Sequence, residues 1–291
     1  MLHTISNEFL SVTVNSLGAE IFSILSSDGV EYLWQGDKKY WGGRAPIMFP
    51  ICGRLFGGKY TYLGKEYSMP NHGIARASEF ELSALSPSCL VLELKSNEKT
   101  KESYPFDFVF QASFTLKEKA LEVKYIVKNT DSRDLIFGLG GHPAFNVPLE
   151  KGLSFEDYCV EFPRECEAIR VDFSPACYCT HNDKIYTGKA IKKIDLSHSL
   201  FDDDAIFLYN VPKSAKLHSE KSKRSVTVSY ENMKYLGLWH APKTDAPYIC
   251  LEPWSSIPAD EGAIDDLLTK KETYHLPSGY TYRGGYTITI E

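Results

Sequence analysis

Apolar and polar residues alternate with a period of two in stretches spread from one end of the chain to the other. No other feature limits the fold as much. The alternation runs through Ser11 to Val14, Leu90 to Lys95, Leu121 to Asn129, Ser225 to Tyr230 and Tyr286 to Ile290, with one interruption at Ile126. Successive side chains on a strand point to opposite faces, so each stretch reads as a strand with one face buried. Turn formers punctuate them at short intervals, as in Ser27-Asp28-Gly29, Leu63-Gly64-Lys65 and Pro277-Ser278-Gly279. Such spacing leaves little chain for the helical crossovers that parallel strands require. The one candidate helix is a modest one at Ala259 to Leu268, weakened by Gly262. The expected fold is all-β, a large antiparallel sandwich with few short helices.

A chain of 291 residues could hold two ordinary domains or one large β domain. No linker rich in Pro, Gly or Ser, no low-complexity tract and no internal repeat divides it, so one domain spanning 1–291 is expected. A net charge of −6 argues against a nucleic-acid partner, which calls for a concentrated basic face. The first residues lack a basic stretch followed by an apolar run, and no apolar run approaches the roughly 18 residues of a membrane span. A cytoplasmic protein without a membrane partner is expected. The 7 cysteines are odd in number and scattered, as reduced thiols would be. Cys177, Cys179 and His181 match no usual zinc spacing, and no metal is expected.

Three short motifs set a titratable residue among turn formers and aromatics: Asn71-His72-Gly73-Ile74-Ala75-Arg76, Gly140-Gly141-His142-Pro143-Ala144-Phe145-Asn146 and Cys250-Leu251-Glu252-Pro253-Trp254. Glu252 ends an apolar run that reads as a buried strand. A carboxylate there must be paired, hydrogen-bonded or functional, because a lone buried charge costs several kcal/mol or more. A structural salt bridge to Arg44 or Arg54 is one reading. The other is a general base, its pKa raised by desolvation beside Trp254. His142 and His72 sit on backbone braced by glycine and proline, which favours a functional reading of the two together. His240, between Trp239 and Pro242, is a further pocket candidate, whereas His3, His181, His198, His218 and His275 read as surface positions. Arg44 and Arg54 stand in an apolar, glycine-punctuated segment and offer forked donors to a carboxylate, a phosphate or sugar hydroxyls. Asp202 and Asp203 read as a solvated loop; Asp204 leads into a strand that could carry it to a cleft. No GxSxG elbow, GxxxxGK[ST] loop or HExxH helix is present, and Gly138-Leu139-Gly140-Gly141 lacks the third glycine and the helix of a dinucleotide site.

In their order along nearly the whole chain, these motifs resemble the aldose 1-epimerase (galactose mutarotase) superfamily, and within it the LacX-like bacterial branch. Gly18-Ala19-Glu20-Ile21, the Arg44 to Arg54 segment and Asp204-Ala205-Ile206 extend the likeness. The resemblance implies a β-supersandwich with an open sugar groove, and an isomerase interconverting the α and β anomers of a hexose. It implies that Glu252 is the general base at the anomeric hydroxyl and His142 the general acid at the ring oxygen. It further implies that His72, Arg54 and Asp204 hold the sugar, with Trp239 as pocket wall and Arg76 as a donor at or behind the substrate. No cofactor is called for, and the expected partner is a small-molecule sugar. The sequence departs from the family at Ser255 to Asp260, where many relatives are glycine-rich. Arg44, Arg54 and Arg76 could instead clamp a hexose 6-phosphate, unless Glu20, Glu79 or Glu252 pairs with them. A carbohydrate-binding module without turnover is the remaining alternative. The mechanistic reading expects His142 and Glu252 on opposite sides of one bound pyranose.

Overall fold

In the computed structural model, which describes residues 1–291, two large antiparallel sheets face each other. The larger has nine strands in the order Ile191–Asp195, Cys159–Cys166, Ser214–His218, Ser225–Glu231, Thr281–Ile290, Ala120–Asn129, Phe108–Lys117, Cys89–Lys95 and Glu81–Ser86. The second runs Lys184–Ile185, Ile169–Arg170, Ile206–Tyr209, Tyr235–Trp239, Tyr248–Trp254, Gly140–Gly141 and Ile47–Met48, and its eighth strand, Ala144–Asn146, also pairs with Tyr248–Trp254. The fold is therefore the all-β antiparallel architecture that the period-two alternation predicts. Smaller sheets flank it, among them the meander Leu2–Ser6, Leu10–Asn15 and Glu20–Ser26.

The sequence pattern explains the layering. In Phe108–Lys117 the residues at alternate positions, Phe108, Phe110, Ala112, Phe114 and Leu116, are buried. Phe49, next to the Ile47–Met48 strand, places its ring 5.2 Å from Phe108 and 4.7 Å from Phe110, joining the two sheets. Each such phenylalanine, moved from water into the core, stabilises the fold by roughly 1.5–3 kcal/mol. Tyr248–Trp254 is buried at every residue. A strand covered on both faces reads as a continuous apolar run, and Glu252 stands out within it for that reason.

Two expectations are corrected. No helix forms at Ala259 to Leu268: Gly262 adopts a left-handed φ of +76° and Asp265–Asp266 pairs in parallel with Lys59–Tyr62. The α-helix lies instead at Glu98–Ser103, opened by a capping box in which Asn97 Oδ1 accepts from Thr100 N at 3.0 Å. Of the histidines read as surface positions, His181 and His275 are exposed, while His198 and His218 are half-buried. His3 is buried, because it falls on the inward positions of Leu2–Ser6 with Ile5, and its ring lies 3.3 Å from Ser16 Oγ.

Candidate active site

A cavity of about 260 Å³ opens beside the second sheet, and Arg54, His72, Arg76, His142, Asp204, Trp239 and Glu252 all line it. Tyr248–Trp254 supplies Glu252 and Trp254, and the adjacent strand Tyr235–Trp239 supplies Trp239 at its end. His142 follows Gly140–Gly141, which pairs with Ile47–Met48. Gly141 is required there: a Cβ would lie 2.4 Å from Cε1 of Tyr286 on the opposite sheet. The next backbone N–H, that of His142, donates to Pro46 O at 3.1 Å, fixing where the imidazole starts. The turn bearing His72 is pressed on the same segment, since Gly73 has a φ of +77° and a Cβ would meet Phe49 O at 2.2 Å.

The imidazole of His142 stacks on Trp41, with ring centroids 4.8 Å apart, and meets Trp239 and His72 edge-on at 5.6 Å each. Its Nε2 lies 3.3 Å from Glu252 Oε2. The contact is close but not aligned as a hydrogen bond, for Oε2 has no hydrogen-bond partner. His142 Nδ1 and Trp254 Nε1 are also buried without one. Buried polar groups are nearly always satisfied, so three orphans around one cavity mark a place built for something else.

Burial governs the charges. It holds the Glu252 carboxyl well above its ordinary range, the nearby Trp254 indole opposing and Asp204 adding to the effect. Burial likewise holds His142 well below an ordinary imidazole, reinforced by His72 and Arg76. Each residue thus resists ionising alone, and the pair is most stable with one proton between them, as either neutral partners or a contact ion pair. His72 is pushed down to about 3, first by burial and then by Arg76 and Arg54. Its Nδ1 accepts the Gly53 N–H at 3.2 Å, so the neutral ring carries its hydrogen on Nε2.

Around this pair the polar groups are mixed. Arg54 and Arg76 are exposed, and Arg54 Nη1 donates to Ala176 O at 3.1 Å. Asp203 and Asp204 both line the cavity. Asp204 has a φ of 73° and takes the Cys177 thiol on Oδ2 at 3.1 Å and its neighbour's N–H on Oδ1 at 2.8 Å.

Several expectations change here. Glu252 is paired with His142 rather than with Arg44 or Arg54. The two proposed acid and base groups are neighbours on one wall, not residues on opposite sides of a ring. Arg44 points away from the cavity, donating to Phe22 O at 2.7 Å, and its guanidinium lies 4.3 Å from the centre of the Phe22 ring. His240 is fully buried outside the cavity, 3.2 Å from His198 and 2.8 Å from Ala241 O, because consecutive strand residues face opposite ways and Trp239 takes the cavity side. Trp41, Phe173 and Phe207 line the cavity without having been singled out, and Asn71 and Cys177 line it without having been read as site residues. Trp41 carried a signal in the Gly42-Gly43 pair that follows it; Phe173 and Phe207 carried none. Pro258, within the segment that departs from the family pattern, also forms part of the wall.

Solved structures share this architecture. The galactose mutarotase related enzyme of Lactobacillus acidophilus superposes with a TM-score of 0.94 at 34% identity, over 100% of this chain and 97% of its own. A galactose mutarotase-like protein of Lactobacillus casei gives a TM-score of 0.94 at 30% identity, over 100% of both chains. The fold is thus galactose mutarotase-like. In sequence, the plasmid-borne protein LacX of Lactococcus lactis subsp. lactis is 33% identical over 98% of each chain. The aldose 1-epimerase family profile matches residues 1–274. The chain belongs to the aldose 1-epimerase family and is an enzyme of the isomerase class.

Proposed function

We propose that the protein is a mutarotase for a free hexose, with Glu252 and His142 as the proton-transfer pair. The observation that carries this reading is their 3.3 Å contact in a buried, aromatic cavity. The anomeric hydroxyl oxygen and the ring oxygen of an aldose are bonded to the same carbon, so groups that serve both must be neighbours. Glu252 as carboxylate takes the proton of the anomeric hydroxyl while the imidazolium of His142 gives one to the ring oxygen. The bond between C1 and the ring oxygen breaks, the C1–C2 bond of the open aldehyde rotates, and reclosure with the roles reversed yields the other anomer. One proton leaves the pair as another enters, so the buried site never gains net charge. A positioned acid or base typically contributes about 10²–10⁴-fold. His72, held neutral, offers an N–H; Arg54 and Arg76 donate to sugar hydroxyls, Asp203 and Asp204 accept from them, and Trp239 and Trp41 form the walls.

Polarimetry on freshly dissolved α-D-glucose and α-D-galactose tests this. Wild type should accelerate mutarotation and Glu252→Gln should lose at least about 10²-fold of that acceleration. Sugar binding without acceleration in wild type would favour a carbohydrate-binding module instead.

One observation supports a second reading, a hexose 6-phosphate substrate. Neither Arg54 nor Arg76 pairs with Glu20, Glu79 or Glu252: Glu20 accepts backbone N–H groups of Arg44 and Ala45, and Glu79 faces the N-terminal ammonium at 3.7 Å. Neither guanidinium is held by a carboxylate, although Arg54 Nη1 spends one donor on Ala176 O. Asp203 and Asp204 beside them weigh against a dianion, since mixed donors and acceptors suit hydroxyls. Comparing kcat/KM for glucose and galactose with that for their 6-phosphates separates the two.

A further inference from the structure

Cys250 has no part in the chemistry above, yet it lies beside it. It precedes Glu252 by two residues on Tyr248–Trp254, so both side chains leave the same face of the strand. The thiol is fully buried in a small apolar cluster with Ala144 and Tyr248, against which Trp41 and Trp239 pack. One ligand atom from each of His142, Cys250 and Glu252 lies within 4.8 Å of the other two. Imidazole nitrogen, thiolate sulfur and carboxylate oxygen are the donors that zinc takes. Two of these residues also carry buried atoms that nothing in the chain satisfies, His142 Nδ1 and Glu252 Oε2, on side chains only 10% and 2% exposed.

We propose that His142, Cys250 and Glu252 form a binding site for a thiophilic divalent cation, zinc being the type, and that the cation and the sugar exclude each other. Bond lengths of about 2.0–2.3 Å around a tetrahedral ion set its donors roughly 3.3–3.8 Å apart. His142 Nε2 and Glu252 Oε2, 3.3 Å apart, already fit, and the widest separation of 4.8 Å has to close by about 1 Å, within reach of small side-chain rotations. Three protein ligands leave a fourth position, and it faces the cavity that His142 and Glu252 line. Binding replaces the S–H bond of Cys250 by a metal–sulfur bond and displaces the proton that His142 and Glu252 share, and both protons go to solvent. The ion occupies the lone pairs that the proton-transfer pair needs, so it acts as an inhibitor. The inhibition rests on the mutarotase reading; the binding does not.

The test uses the intact chain and Co²⁺ as a spectroscopic substitute for zinc. Wild type should show a thiolate-to-cobalt charge-transfer band with release of two protons per ion bound, and zinc should displace the band. The band should vanish in Cys250→Ala and in the near-isosteric Cys250→Ser, each checked for a wild-type melting transition. Cys177→Ser, which alters the thiol that lines the cavity itself, should keep it. In the polarimetric assay zinc should inhibit wild type reversibly, and the half-inhibiting concentration should rise by more than about tenfold in both Cys250 variants, since loss even of an outer-shell partner costs 10–100-fold in affinity. Absence of the band in wild type, its persistence in Cys250→Ser, or equal zinc sensitivity in that variant would overturn the proposal. Should no sugar be turned over at all, the functional reading fails while the cobalt band still decides the cation site.

Discussion

At the scale of single residues, the site depends on how burial sets protonation. The proposed pair works with one proton, so activity ends when a second is added or the one is lost. Burial disfavours the doubly protonated, cationic pair, so the acidic limb of kcat/KM is expected below pH 6.5, the ordinary imidazole value. Rates measured across the acid range check this, and a limb above that value would contradict it. His72 makes a separate prediction about stability. Its pKa is about 3 in the fold against 6.5 in a free imidazole, so between those values the unfolded chain binds more protons. Stability contributed this way is lost as pH falls through that window. The melting temperature of His72→Asn should therefore fall less than that of wild type between about pH 7 and pH 4.5. Glu252, raised by burial, works in the opposite sense as pH rises above 4.5, so the variant comparison is what isolates His72. Both residues were legible in the sequence because each breaks a local pattern: a carboxylate in an apolar strand, an imidazole in a glycine turn. Phe207 was not, since a phenylalanine in a strand looks the same whether it faces a core or a cavity.

Among the elements, the paired glycines before His142 fix the distance between the two sheets at the site. Gly141→Ala would put a methyl group against the Tyr286 ring, with atoms at 2.4–2.9 Å. Overpacking of this kind typically costs about 1–3 kcal/mol. The variant should melt at lower temperature and lose activity, because the displaced backbone carries His142 with it; a thermal melt and the polarimetric assay on the same preparation check both. Strands were readable wherever one face is wet, as in Phe108–Lys117, because only then does the alternation appear. The two-residue strands such as Ile47–Met48 were not, since pairing with distant partners defines them rather than their own composition. The capped helix at Glu98–Ser103 escaped for a related reason: at 6 residues it is too short to show a period.

For the molecule as a whole, a continuous cluster of 68 buried apolar residues runs from Ile5 to Ile290 and includes strands of both large sheets. We propose that residues 1–291 unfold as one domain, and calorimetry should give a single transition with matching calorimetric and van't Hoff enthalpies. Two separated transitions would contradict this. Length alone left one domain or two open, and the lack of any linker in the sequence pointed to one. What no sequence pattern revealed was the order of strands across the nine-stranded sheet, which joins segments far apart in the chain. Thr281–Ile290 sits between Ala120–Asn129 and Ser225–Glu231, near the middle of that sheet. A ribosome delivers this strand after both of its neighbours, and a domain generally folds as a unit. Until it arrives, the two halves of the sheet lack the strand that joins them, and their inner edges and apolar sides have nothing to pair with. An edge or apolar face left bare in this way is where a chain still being made is open to association with its neighbours.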